Sequence, residues 1–168
     1  MGSRALVVLA FAISVADPAA LEPPKSARLA LRAVADGVQI YTCQAAGNAF
    51  QWVFKAPEAT LFDESGRQIG KHFAGPSWQS SDGSLVTGEV VAKADSPTPG
   101  AIPWLLLRAR THEGDGQFAR ISYVQRTETI GGAMPSSGCD SAHQGVEARM
   151  RYSARYSFYL EAPEGAKE

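Results

Sequence analysis

The stretch Ala148–Leu160, ARMRYSARYSFYL, decides the fold class. Ala148, Met150, Tyr152, Ala154, Tyr156, Phe158 and Leu160 take every second position, and Arg149, Arg151, Ser153, Arg155 and Ser157 fill most of the places between. An extended chain sends successive side chains to opposite faces, whereas a helix gathers every third or fourth residue. A long run of period two is therefore a β-strand with one face on a core and the other toward water. Shorter runs repeat the pattern. FQWVFK (Phe50–Lys55) sets Phe50, Trp52 and Phe54 against Gln51 and Lys55. LVTGEVVAKA (Leu85–Ala94) sets Val86, Gly88, Val90, Ala92 and Ala94 against Thr87, Glu89 and Lys93. QFARISYVQRT (Gln117–Thr127) opposes Ile121 and Tyr123 to Arg120 and Ser122, and WLLLRA (Trp104–Ala109) is apolar enough for a strand covered on both faces.

Turn chemistry separates these runs. DESG (Asp63–Gly66), SSDGS (Ser80–Ser84) and EGDG (Glu113–Gly116) read as tight turns. ADSPTPGAIP (Ala94–Pro103) is a proline-stiffened connection, and IGGAMPSSGCD (Ile130–Asp140) is a longer loop. Helical periodicity is confined to a turn or two in Ser26–Val34 or Ser141–Glu147. Seven to ten short strands in one chain of 168 residues predict a single all-β domain, an antiparallel β-sandwich or a small β-barrel. The expected domain spans 34–162, after an N-terminal lead-in at 17–33 and before a tail at 163–168.

The N-terminus reads as a leader. Arg4 precedes the apolar run Ala5–Ala16, which is too short for a convincing membrane span, and Ser14-Val15-Ala16 suits a signal peptidase. Cleavage near Asp17 would make the protein secreted or periplasmic, with no stable membrane insertion afterwards; an uncleaved anchor is the alternative. Removing Arg4 leaves 15 basic against 17 acidic residues, a formal net of −2, which argues against nucleic acid as a partner. Cys43 and Cys139 are the only cysteines, an even number in a chain bound for an oxidising compartment, so a disulfide between them is expected. No second cysteine or adjacent histidine lies at metal-ligand spacing.

Several phrases together, GVQIYTCQ, WVFKAPEATLFD, GKHFAGPSW, GAIPWLLLRA, GGAMPSSGCD and YSARYSFY, closely resemble a family of secreted bacterial and fungal proteins known as domain of unknown function 3455. The resemblance covers about Val34–Leu160. It implies export and a domain with paired cysteines; it implies no activity.

The residues offer three functional readings. KHFAGPSWQSSDGS (Lys71–Ser84) contains a strand end, a Gly-Pro corner and an Asp-Gly turn, but those needs leave His72 and Trp78 unexplained. The first reading is a non-catalytic module binding a small molecule or glycan at one end of the domain. It uses His72, Trp78 as a partly exposed platform, Asp82 and Arg108. The second is a metal-binding protein or metalloenzyme holding zinc or copper with His72, His112 and His143; it needs the fold to bring distant loops together, because no HxH or HExxH pair occurs. Without that convergence no cofactor is expected. The third is a cell-envelope protein pairing through its sheet edges. No nucleophile elbow or phosphate-binding glycine loop occurs, and Asp63, Asp82 and Asp115 stand where turns ordinarily put aspartate. Arg149, Arg151 and Arg155, with Arg108, Arg120 and Arg126 on other strands, form either a solvated face or an anion-binding interior.

Overall fold

The computed structural model describes residues 18–161. The expected leader and the tail 163–168 lie outside the described residues. Eight strands follow one another: β1 (Ala27–Ala46), β2 (Ala49–Phe62), β3 (Gln68–Phe73), β4 (Ser77–Ser80), β5 (Leu85–Ala94), β6 (Trp104–Glu113), β7 (Tyr123–Gly131) and β8 (Glu147–Glu161). Each pairs antiparallel with the next, and β8 pairs back onto β1, so the sheet closes into a barrel. Of the two expected architectures the barrel forms, and the strand with the clearest alternation is the one that closes it. The β1–β8 pairing runs from Ala27 opposite Glu161 to Thr42 opposite Glu147.

Closure corrects three expectations. The strand β1 begins at Ala27, inside the segment expected to precede the domain, and no helical turn forms over Ser26–Val34. The long strand β8 offers that segment a full ladder of partners. Gln117–Arg120 is a turn, and its Phe118 is fully buried as a plug. An envelope role through free sheet edges loses its basis, because a closed barrel has none among the described strands.

The inner wall carries small residues where the ring needs room, among them Ala33, Ala35 and Gly37 of β1 and Ala59 of β2. A Cβ on Gly37 would lie 2.1 Å from the Glu58 carbonyl oxygen, so only glycine fits there. One end of the barrel is filled. Leu61, Val86, Phe118, Ile121, Val124 and Phe158 pack there, with the Phe118 and Phe158 rings 4.7 Å apart and stacked. A short 3-10 helix, Pro18–Leu21, lies on the outside. Its Leu21 packs with Ala94, Leu106 and Tyr123, and Gln125 Nε2 donates to the Leu21 carbonyl at 2.9 Å. The run WLLLRA is therefore covered on both faces: Leu105 and Leu107 point inward, while Leu106 meets Leu21.

The arginine face of β8 is the solvated one. Arg149 pairs with Glu58, Arg151 with Asp36 and Arg155 with Glu128 on the outer surface. At the other end of the barrel, Cys43 and Cys139 form the expected disulfide and fasten the β7–β8 loop to β1. Among the described residues no helix is long and apolar enough to cross a membrane.

Candidate ligand-binding site

The Gly-Pro corner builds the floor of the site. Gly75 has φ +135°, which a side chain would strain, and Ser77 Oγ donates to the Ala74 carbonyl at 2.8 Å. The chain reverses there and pairs β3 with β4, placing His72 opposite Trp78. Directly opposed residues share a face, so both side chains point into the barrel. Their rings stack with centroids 4.7 Å apart and 7° between planes. Gly88 on β5 makes room for the indole: a Cβ there would sit 3.3 Å from Trp78 Cζ3. Tyr156 of β8 completes the floor, its ring 5.1 Å from His72 and 5.8 Å from Trp78, both edge-on.

Above this floor lies a cavity of about 590 Å³. Leu105, Leu107, Val90 and Phe54 give it apolar walls, and Ala74–Pro76 and the Ile102–Pro103 segment form its rim. Phe54 and Val90 stand half in solvent as an apolar lip. The rim is braced: Ala101 bridges to Gly132, Thr129 Oγ1 donates to the Ile102 carbonyl at 2.6 Å, and Tyr41 OH donates to the Gly132 carbonyl at 2.7 Å. Arg126 reaches the cavity from β7, its Nε and Nη2 both donating to the Pro103 carbonyl at 3.1 and 2.8 Å. The polar ends of Gln39, Tyr152, Tyr156 and Arg126 cluster beside one another, Trp78 Nε1 is buried with no partner among the described residues, and Gln39, Trp78, Tyr156 and Arg126 line the cavity.

His72 is held neutral. Its Nδ1 lies 2.8 Å from the Ser77 carbonyl, which can only accept, so Nδ1 carries the proton and Nε2 keeps its lone pair. Burial pushes its pKa down to about 3; the Ser77 carbonyl opposes this and the Arg126 charge adds to it. The unfolded chain then binds a proton near pH 6.5 that the native state refuses until about pH 3. Stability is complete above pH 6.5 and falls as pH drops through that window, with a slope approaching about 1.4 kcal/mol per pH unit. Urea unfolding from pH 7 to pH 4 is expected to show this slope, and His72→Phe is expected to flatten it. An unchanged slope in the variant would assign acid sensitivity to the carboxylates instead.

The other expected site residues fall elsewhere. Trp78 is 1% exposed, so it is the floor of a cavity and not the partly exposed platform the sequence suggested. Asp82 lies at the filled end as a fastener: its Oδ1 accepts from Ser84 N and Oγ at 2.9 and 2.6 Å, and its Oδ2 from Gln117 N at 2.7 Å. These bonds, Ser84 Oγ foremost, hold its carboxyl down to about 2. Arg108 stands exposed on the outside, in register with Glu89. The three histidines do not converge. His72 and His112 sit in one row three strands apart, through Trp78 and Val86, which is roughly 14 Å at the usual strand spacing. His112 Nε2 is bonded to the Ile121 carbonyl at 2.6 Å, and His143 lies on the exposed β7–β8 loop with Asp140 at 2.7 Å. Among the described residues no group of three His, Cys, Asp or Glu side chains is placed to hold a metal ion. The metal reading is corrected on that geometry.

Sequence reading passed over Gln39 and Tyr156 as site residues. Tyr156 carried a signal, being a polar-tipped residue on the inward face of β8. Arg126 was read with five other arginines as part of a solvated face or an anion-binding interior, and its parity with the buried Val124 puts it inside. Gln39 had none, because β1 has apolar side chains at both parities.

Fold and site define a class: an up-and-down eight-stranded β-barrel, plugged at one end, with a small-molecule-sized cavity at the other. The chain belongs to the family described as Protein of unknown function (DUF3455), whose model matches residues 23–160. No curated protein and no solved structure matches it.

Proposed function

We propose that this barrel is a non-catalytic module that binds a small molecule in the cavity at its open end. The observation that carries the reading is the cavity itself, about 590 Å³ at the open end, with apolar walls from Leu105, Leu107, Val90 and Phe54 and the Arg126 side chain among its lining. The volume suits a ligand, since small-molecule sites run from about 300 to 1,000 Å³. An eight-stranded barrel is also just wide enough to hold one small ligand. The apolar lip at Phe54 and Val90 supports access from this end, and the buried Trp78 favours an enclosed molecule over a glycan stacked on a surface ring. The Cys43–Cys139 bridge supports work in an oxidising compartment, secreted or periplasmic, in line with the apolar leader.

The test is a panel of small molecules screened by thermal shift and tryptophan fluorescence against the oxidised protein. Two variants follow for each molecule that binds. Tyr156→Phe keeps the ring and removes the hydroxyl beside Arg126, so stability is expected to change by no more than about 1 kcal/mol while affinity falls about fivefold to tenfold. Val90→Trp fills the half-exposed lip and is expected to abolish binding with the fold intact. Binding that survives both changes would place the ligand elsewhere and end the proposal.

A further inference from the structure

The charge of the cavity points to the class of ligand. Its described lining includes Lys55, Lys93 and Arg126, and no Asp or Glu. Lys55 pairs with Glu147 at the rim, but among the described residues no carboxylate pairs with Arg126. The remaining titratable groups of the interior are neutral at neutral pH. His72 keeps its lone pair, and burial pushes the Tyr41, Tyr152 and Tyr156 hydroxyls above their ordinary range. Arg126 acts on all four, favouring the anionic form of each tyrosine and the neutral form of the histidine. The interior is therefore a site of positive potential with apolar walls, where a single charge is felt strongly.

The guanidinium is also pre-positioned. Its Nε–Nη2 edge is taken by the Pro103 carbonyl, which leaves the Nη1–Nη2 end for a second, planar acceptor. Tyr156 is directly opposite Arg126 in register, and its hydroxyl lies beside the guanidinium. The wall thus presents one fixed cation beside a tyrosine, with hydrocarbon for most of the rest.

We infer that the ligand is a small amphipathic monocarboxylate, its carboxylate on Arg126 and its apolar body against Leu105, Leu107 and Val90. The inference rests on the small-molecule-binding reading above and specifies its chemistry. Charge-assisted, bidentate contact between guanidinium and carboxylate is the strong form of hydrogen bond, and the carboxylate supplies the counter-charge the cavity lacks.

Isothermal titration with decanoate and 2-naphthoate, each beside its own neutral amide, tests the assignment. Each acid is expected to bind about tenfold to a hundredfold more tightly than its amide. Arg126→Gln is expected to erase that preference while leaving amide binding in place, and Arg126→Lys to restore part of it. Near-UV circular dichroism checks the fold of each variant, and Arg149→Gln on the outer surface is expected to change nothing. Acid and amide binding equally to the wild type would overturn the carboxylate assignment and leave the binding cavity standing. Tighter binding of decyl phosphate than of decanoate would overturn it in favour of a tetrahedral oxyanion. Binding of none of these probes would take the small-molecule reading down as well. The acid–amide comparison in the wild type decides the matter even if the Arg126 variants fail to fold.

Discussion

Replacing Cys43 and Cys139 together by alanine is expected to lower the free energy of unfolding by about 4–5 kcal/mol. The bridge closes a loop of 96 positions, and in the chain-entropy model that closure removes this much freedom from the unfolded chain. Domains of this kind are typically stable by only about 5–15 kcal/mol, so the loss removes a large part of the margin. Native contacts act in the same direction. Cys43 is fully buried at the open end, and the loop it anchors is tied to it by Cys43 N donating to Val146 O and Gly145 N to Cys43 O, both at 2.9 Å. Urea unfolding of the oxidised wild type, the reduced wild type and the double variant measures the effect. Reduced protein and variant are expected to coincide and to shift together. A midpoint unchanged by reduction would mean that the braced rim, and not the bridge, holds this end closed. Hydrogen exchange at Cys43 and Gly145 would then remain slow.

Trp78→Ala is expected to cost about 3–5 kcal/mol, the range for truncating a buried aromatic side chain. The indole fills the centre of the barrel: it stacks on His72, meets Tyr156 and Phe158 edge-on, and occupies the space Gly88 leaves open. Alanine would merge that volume with the cavity at the open end, and little around it can collapse inward because the barrel wall is one continuous ladder. Trp78→Phe keeps part of the stack and is expected to cost less. The measurement separates two readings of one residue. A surface platform gives a change within about 0.5 kcal/mol on truncation, as exposed positions do, together with loss of ligand. A floor gives a large loss of stability first. An alanine variant as stable as the wild type would return Trp78 to the surface and contradict the stacking geometry.

Much of the fold was legible because strands advertise themselves by parity. The inward set of β8, from Tyr152 to Phe158, is the set that alternation selects, and Leu105 to Leu107 reads as covered on both sides because the helix at Leu21 covers the second. The boundary at Ala27 was not legible, because Ser26–Val34 becomes a strand only when β8 lies beside it. The site was legible in part. His72 and Trp78 stood out because turn chemistry accounts for their neighbours and not for them. Asp82 misled for the opposite reason: an Asp-Gly turn and a binding carboxylate look alike in one dimension. Only the bonds from Ser84 and Gln117 identify it as a fastener.

By itself the sequence determined an all-β domain, one disulfide, and a histidine and a tryptophan bracketing a Gly-Pro corner. These follow from local rules, namely side-chain alternation, turn residues and an even count of cysteines. Only the tertiary structure decided that the sheet closes, that Trp78 is a floor, that the histidines stay apart, and that Arg126 faces inward without a carboxylate. Those are properties of pairings between distant strands. Closure depends on whether β8 can reach β1, and the inside of the ring exists only once it has.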